Sequence, residues 1–132
     1  MEKKLAIIIL NWNGIDETKK CVTSLGASSF QNFDLVLFDN GSIHDEVTAL
    51  KKLVDYRTTV WHSPKNLGFS GGNNAVVKKL RDAKRKYSYY LFLNQDVVVE
   101  QHALDHLFDC METYADIAVC GPLVLSSDGR MQ

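Results

Sequence analysis

Apolar and polar positions come in blocks along this chain, and the blocks outline its elements. Leu5 to Leu10 is continuously apolar and stops at Asn11, as expected for a strand covered on both faces of a parallel sheet. Asp16 is placed to cap a helix running to about Leu25, with Cys21, Val22 and Leu25 on one face. A second strand, Leu35 to Phe38, ends at Asp39. Asp45 then opens a short helix whose Val47, Leu50, Leu53 and Val54 recur at helical spacing. Thr58 to Trp61, rich in β-formers, predicts an edge-type third strand. After a Gly/Asn loop, Asn73 and Asn74 open a helix marked by Ala75, Val76, Leu80 and Ala83. Tyr89 to Leu93 is the fourth strand. Leu104, Leu107, Phe108 and Met111 give an i, i+3, i+4, i+7 stripe on a helix from about His102 to Tyr114. Ile117 to Val119 reads as a short strand, Gly121-Pro122 as a turn, and Leu123 to Leu125 as the start of one more strand. Strands alternating with helices predict an α/β class: a doubly wound, mostly parallel sheet with helices on both faces.

Length changes this picture little: 132 residues suit one domain, 1–132, with a real core. A net charge of −1 argues against a nucleic-acid or acidic-membrane partner, since both need a basic field. The basic run from Lys78 to Lys86 reads as the solvated, C-terminal part of a helix, where cations suit the macrodipole. Cys21, Cys110 and Cys120 form no Cys-x-x-Cys pair, so neither a zinc site nor a disulfide framework is indicated. Buried, reduced thiols in a cytoplasmic protein are expected. The apolar run after Met1-Glu2-Lys3-Lys4 is too short for a signal peptide, and no segment is long enough to span a bilayer.

The chemistry concentrates where strands end. Asn11-Trp12-Asn13-Gly14, Asp39-Asn40-Gly41-Ser42, Asn66 to Asn74 and Asn94-Gln95-Asp96 all follow strands. In open α/β sheets, ligands bind outside the carboxyl ends of the strands near the point where strand order reverses, so the four loops are read as one site. Asp96, just past an apolar strand, is placed to hold a hard divalent cation that also bridges to phosphates. Gly68, Gly71 and Gly72 permit close backbone approach and positive φ, or simply make the turn before a helix. Their spacing is not the dinucleotide fingerprint. Asn73 and Asn74 are either helix caps or residues whose helix N-terminus meets a ligand. Side-chain alternation aims Gln95 away from its neighbours. His102 and His106 stand at i, i+4, but Ala103 sits where a zinc-protease motif needs Glu, so solvated positions are expected for them and for His44 and His62.

Taken in order, and with Gly121-Pro122-Leu123 added, these motifs resemble a family 2 glycosyltransferase, most nearly its rhamnosyltransferase-like branch. The resemblance runs from Leu5 to about Gly129. It implies a GT-A fold with a Rossmann-like nucleotide-binding half, a nucleotide-diphosphate-sugar donor (UDP- or dTDP-linked) and a Mn2+ or Mg2+ cofactor. Carried onto this sequence, Asp39 would accept a hydrogen bond from the donor's pyrimidine ring, or else cap the Asn40-Gly41 bend. Asn11, Trp12 and Asn13 would line the nucleotide pocket, with Trp12 alternatively packing beneath a loop. Asn40, Gly68, Gly71, Gly72, Asn73, Asn74, Asn94 and Gln95 complete the donor-binding set. Asp96 would coordinate the metal, assisted by Asn94, which stands where the family more often has a first aspartate. Asp39 and Asp96 are expected to converge on one cavity. The family's general base follows the donor-binding half, so it is expected beyond Gln132 and no catalytic residue is expected before it. The reading is therefore the donor-binding part of an inverting enzyme, truncated before the acceptor-binding half.

The implied acceptor is a glycan or lipid-linked molecule in cell-surface polysaccharide biosynthesis, at a cytoplasmic location or the inner face of the membrane. Two alternatives stand beside it. One is a sugar nucleotidyltransferase. The other is a non-catalytic nucleotide-sugar-binding or assembly module that self-associates, or recruits a partner, through exposed apolar surface.

Overall fold

A computed structural model describes residues 4–126 and 128–131. Met1 to Lys3, Ser127 and Gln132 therefore lie outside the described residues, and the expected domain 1–132 is described only between Lys4 and Met131. The elements are β1 (Leu5–Asn11), α1 (Ile15–Gly26), β2 (Phe33–Asn40), α2 (Val47–Leu50, continued by one 3-10 turn), β3 (Thr58–Ser63), α3 (Gly68–Asp82), β4 (Tyr89–Asn94) and α4 (Ala103–Thr113). The four strands form one parallel sheet in the order β3-β2-β1-β4. The chain moves outward from β1 through β2 to β3, then returns across the sheet by α3 to place β4 on the other side of β1. Strand order therefore reverses between β1 and β4.

Both faces of the sheet are covered, and side-chain alternation decides which residue goes where. Leu5, Ile7, Ile9, Phe33, Leu35 and Leu37 pack on one face with Cys21 and Leu25 of α1, Leu50 of α2 and Leu104 of α4. Ala6, Ile8, Val36 and Phe38 pack on the other with Val76 and Leu80 of α3. A strand with helices on both sides must be apolar at every position, which is why β1 reads as an unbroken run. As expected, β3 is an edge.

Several boundaries differ from expectation. Gly14, not Asp16, precedes α1, and Asp16 lies in the first turn, where its carboxylate still suits the helix dipole and accepts from Lys19 Nζ at 3.0 Å. The Gly/Asn loop is helical from Gly68, so Asn73 and Asn74 sit in the second turn of α3 instead of opening it. One tertiary and one local cap offset the poor helix propensity of the glycines: Asn40 Oδ1 accepts the Leu67 N–H at 3.0 Å, and Asn66 Oδ1 accepts the Gly68 N–H at 2.7 Å. Ile117 to Val119 is not a strand, and Leu123 to Leu125 yields only an isolated bridge between Leu125 and Met131. Apolar residues there have strand propensity but, among the described residues, pair with no strand of the sheet, although the outer edge of β4 is open, and Val119 and Leu123 remain exposed. Cys21 is fully buried, whereas Cys110 and Cys120 are only half-buried. Among the described residues, no helix is long and apolar enough to cross a membrane.

Candidate functional site

At the reversal point, beyond the carboxyl ends of β1 and β4, lies an open cleft of about 410 Å³. Trp12, Asn40, Asn66, Phe69, Asn94 and Asp96 form its working surface. Trp12 is 50% exposed and Phe69 60%, so two aromatic rings face solvent in a cleft otherwise edged by amides and one carboxylate. Trp12 is thus not packed beneath a loop. Asn94 and Asp96 are both exposed, as alternation requires of residues two apart. Gln95 points away from them and grips the loop after β1: its Oε1 accepts the Trp12 N–H at 2.8 Å, and its Nε2 donates to the Trp12 carbonyl at 3.3 Å. Gln95 therefore borders the cleft with its amide already committed to the backbone.

A second polar cluster lies one strand over, on the opposite face. Asn11 and Asp39 are register partners at the ends of β1 and β2. Asn11 is wholly buried. Its Oδ1 accepts the Thr18 hydroxyl at 2.7 Å, and its Nδ2 donates to Asp39 Oδ1 at 3.0 Å and to Glu46 Oε2 at 2.7 Å. Glu46 Oε2 also accepts the Gly14 N–H at 3.1 Å. Asp39 accepts the Ser42 N–H at 3.2 Å and the Ser42 hydroxyl at 2.6 Å, so it does cap the Asn40-Gly41 bend. Asn13, at φ +49, holds Ser42 Oγ through its N–H and the Ile43 N–H through its Oδ1. This network ties the loop after β1 to the loop after β2.

The expected convergence of Asp39 and Asp96 on one cavity is not what the fold produces. Asp39 is 5% exposed and does not line the cleft that contains Asp96. Odd-numbered residues of β2 face α1 and α2, while the next residue, Asn40, faces α3 and the cleft. With β1 between β2 and β4, the two strand ends are two spacings apart, about 10 Å.

Two glycines allow close packing around the cleft. Gly41 adopts φ +78, and a Cβ there would stand 2.3 Å from the Lys65 carbonyl carbon. Gly72 brings α3 onto β1 and β2, since its Cβ would lie 2.8 Å from Leu10 Cδ1 and 3.2 Å from Asn40 Nδ2. Gly68 begins α3 at φ +72, whereas Gly71 has no positive φ.

The donor set for a cation is one carboxylate, Asp96, and one amide, Asn94. Among the described residues there is no group of three or more His, Cys, Asp and Glu able to hold a metal ion. Such a set does not cage an ion. It does fit a hard cation that takes one or two protein oxygens and completes its shell with phosphates and water. His102 and His106 are exposed, and His102 Nδ1 lies 2.9 Å from Ser29 Oγ. They remain solvated positions. Gln132, the residue beyond which the general base is expected, lies outside the described residues.

The description "Glycosyl transferase family 2" matches residues 6–131. The chain belongs to glycosyltransferase family 2. Among solved structures, S. aureus TarS 1-349 superposes with a TM-score of 0.68 at 17% identity, over 85% of this chain and 33% of that one. TarS 1-349 in complex with UDP-GlcNAc gives 0.70 at 18% identity, over 85% and 32%. The complex with UDP gives 0.68 at 18%, over 85% and 33%. These likenesses establish the fold, and this family 2 chain spans about a third of the length of TarS 1-349. No curated protein sequence matches it.

Asn66 and Phe69 line the family 2 cleft although the sequence pattern does not single them out; an exposed-type aromatic inside a Gly/Asn stretch is the usable signal for Phe69. Glu46 has none, because nothing local shows that it will meet Asn11, 35 residues away. Asn73 goes the other way. It is 6% exposed, donates through Nδ2 to the Phe69 carbonyl at 3.1 Å, and its Oδ1 has no protein partner. An unpartnered buried carbonyl costs about 1–3 kcal/mol. In the ligand-free chain Asn73→Leu is therefore expected to raise stability by roughly 1 kcal/mol in urea denaturation. Whether the variant keeps its nucleotide-dependent stabilisation tests the expected contact of Asn73 with the donor.

Proposed function

We propose that this chain is the donor-binding part of an inverting glycosyltransferase that takes its sugar from a UDP- or dTDP-linked donor, with Mn2+ or Mg2+ as cofactor. The observation that carries the reading is the cleft at the reversal point, where an exposed carboxylate and amide at the end of β4 stand among two solvent-facing aromatic rings. The ends of β2 and β4 stand about 10 Å apart across β1, and one nucleoside diphosphate is taken to span them, base toward Asp39 and phosphates toward Asp96.

A carboxylate has about four lone-pair sites, and Asp39 uses three of them on Asn11 and Ser42. The remaining one accepts the pyrimidine N–H. Trp12 and Phe69 supply ring faces for the base and sugar, and the Gln95 clamp keeps the Trp12 backbone fixed while they do so. Asp96 and Asn94 would hold the cation, which would supply Lewis-acid stabilisation of the charge developing on the departing phosphate. The general base for a glycan or lipid-linked acceptor is assigned to polypeptide beyond Gln132, at the cytoplasmic side of a membrane that assembles cell-surface polysaccharide.

The test is thermal denaturation with UDP or dTDP, with and without Mn2+. A ligand at a hundredfold excess over its Kd adds about 2.7 kcal/mol, so a clear rise in Tm is expected with metal. Chelation, or Asp96→Ala, should remove it. If neither nucleotide at millimolar concentration moves the Tm, the reading fails.

A second reading, an assembly module, has one observation in its favour. An apolar groove of about 550 Å³ runs beside β4, lined by Leu91, Phe92, Leu107, Phe108 and Met111. The outer edge of β4 pairs with no strand among the described residues. A stable dimer in light scattering without nucleotide affinity would favour this version.

A further inference from the structure

Cys120, on the far wall of the apolar groove, comes back to Cys110 of α4, ten residues earlier in the sequence. After α4 the chain turns back, with the Ile117 N–H donating to the Tyr114 carbonyl at 3.1 Å. The turn returns Cys120 to the helix it has just left. Cys120 Sγ lies 3.8 Å from the carbonyl oxygen of Leu107, and Cys110 is one turn further along the same face of α4. The Cys120 thiol is pushed up by burial first, then by the Cys110 sulfur beside it. Both side chains are half-buried, so a small oxidant can reach them. Cys21 is the contrast: fully buried, pushed up to about 12 by burial and the nearby Asp96 charge, and donating to the Asn94 carbonyl at 3.7 Å. It is a packing thiol.

We propose that Cys110 and Cys120 are a modification site, closing to an intramolecular disulfide on exposure to a disulfide oxidant such as glutathione disulfide. One thiolate of the pair attacks the glutathione disulfide, forming a mixed disulfide and expelling one glutathione thiolate. The second cysteine, as thiolate, attacks the protein-side sulfur and expels the other. The protein dithiol loses two electrons and two protons, and one glutathione disulfide becomes two thiols. Excess glutathione thiol reverses the sequence.

The bond would also act on the groove. Ala118 to Pro122 form its outer wall opposite β4. That segment belongs to no helix or strand, and Val119 and Leu123 are 85% and 67% exposed, so little packing holds it. A covalent tie at Cys120 fixes this wall to α4 and with it the width of the groove.

The folded chain, incubated with glutathione disulfide at mildly alkaline pH, is quenched with acid and its remaining thiols are alkylated. The expected product is a monomer lighter by two hydrogen atoms, with two of three thiols lost and one peptide linkage joining Cys110 to Cys120. Hydrogen exchange in residues 114–122 should slow on oxidation and recover on reduction. Cys110→Ser and Cys120→Ser should each abolish the internal bond, leaving the other cysteine as a mixed disulfide with glutathione. Three retained thiols, a stable mixed disulfide in the unmutated chain, a bond to Cys21, or a crosslink between chains would each overturn the assignment.

Discussion

Replacing Asn11 with leucine is expected to remove roughly 3–5 kcal/mol of stability, the sum of one neutral hydrogen bond and two to carboxylates. The amide is wholly enclosed and joins four elements: Thr18 of α1, Asp39 of β2, Glu46 beside α2, and its own strand. A leucine of similar bulk keeps the space filled, so the loss isolates the polar term. Asp39 would lose its strand-side donor, and Glu46 would retain the Gly14 N–H and Ser42 Oγ. Thr18→Ala removes a single neutral hydrogen bond and should cost only about 1 kcal/mol. Urea denaturation of both variants checks the ordering. A leucine variant within about 0.5 kcal/mol of the unmutated chain, the scale of an ordinary surface change, would show that the network is not what ties these loops together.

Gly41→Ala should also be damaging, at roughly 2–4 kcal/mol, from two contributions. A side chain at φ +78 carries backbone strain of about 1 kcal/mol or more, and overpacking adds about 1–3 kcal/mol. The clash is with backbone, at 2.3 Å from Lys65 C and 2.4 Å from Asn66 N, so no rotamer can relieve it. Gly129 is the internal control. Its φ is +80 but a Cβ there meets open space, so Gly129→Ala should show the strain alone. Equal costs at the two positions would remove the case for close approach at Gly41. Because Lys65 and Asn66 lead into α3, Gly41→Ala should also shift one wall of the cleft and weaken nucleotide binding.

Family membership was legible because the motifs lie in order along the chain, and each can be read locally. The four strands were legible for the same reason. The misplaced boundaries lie where local preference does not decide alone. Asn40, distant in sequence, and Asn66, just before the helix, cap α3 so that it begins at glycines that favour a turn. The apolar residues after α4 have strand character but pair with no strand of the sheet among the described residues.

The candidate site divides along the same line. Sequence alone determined that polar residues end each strand and that Asp96 sits beyond β4, because the period of a strand and the point where apolar character stops are properties of neighbouring residues. Only the tertiary structure decided that Asp39 turns into a buried network while Asn40 turns to the cleft, that Phe69 faces Trp12's cleft, and that Cys120 returns to Cys110. Those outcomes depend on register and on which face of the sheet a helix crosses. They are set by contacts between residues far apart in the chain, to which local pattern is blind.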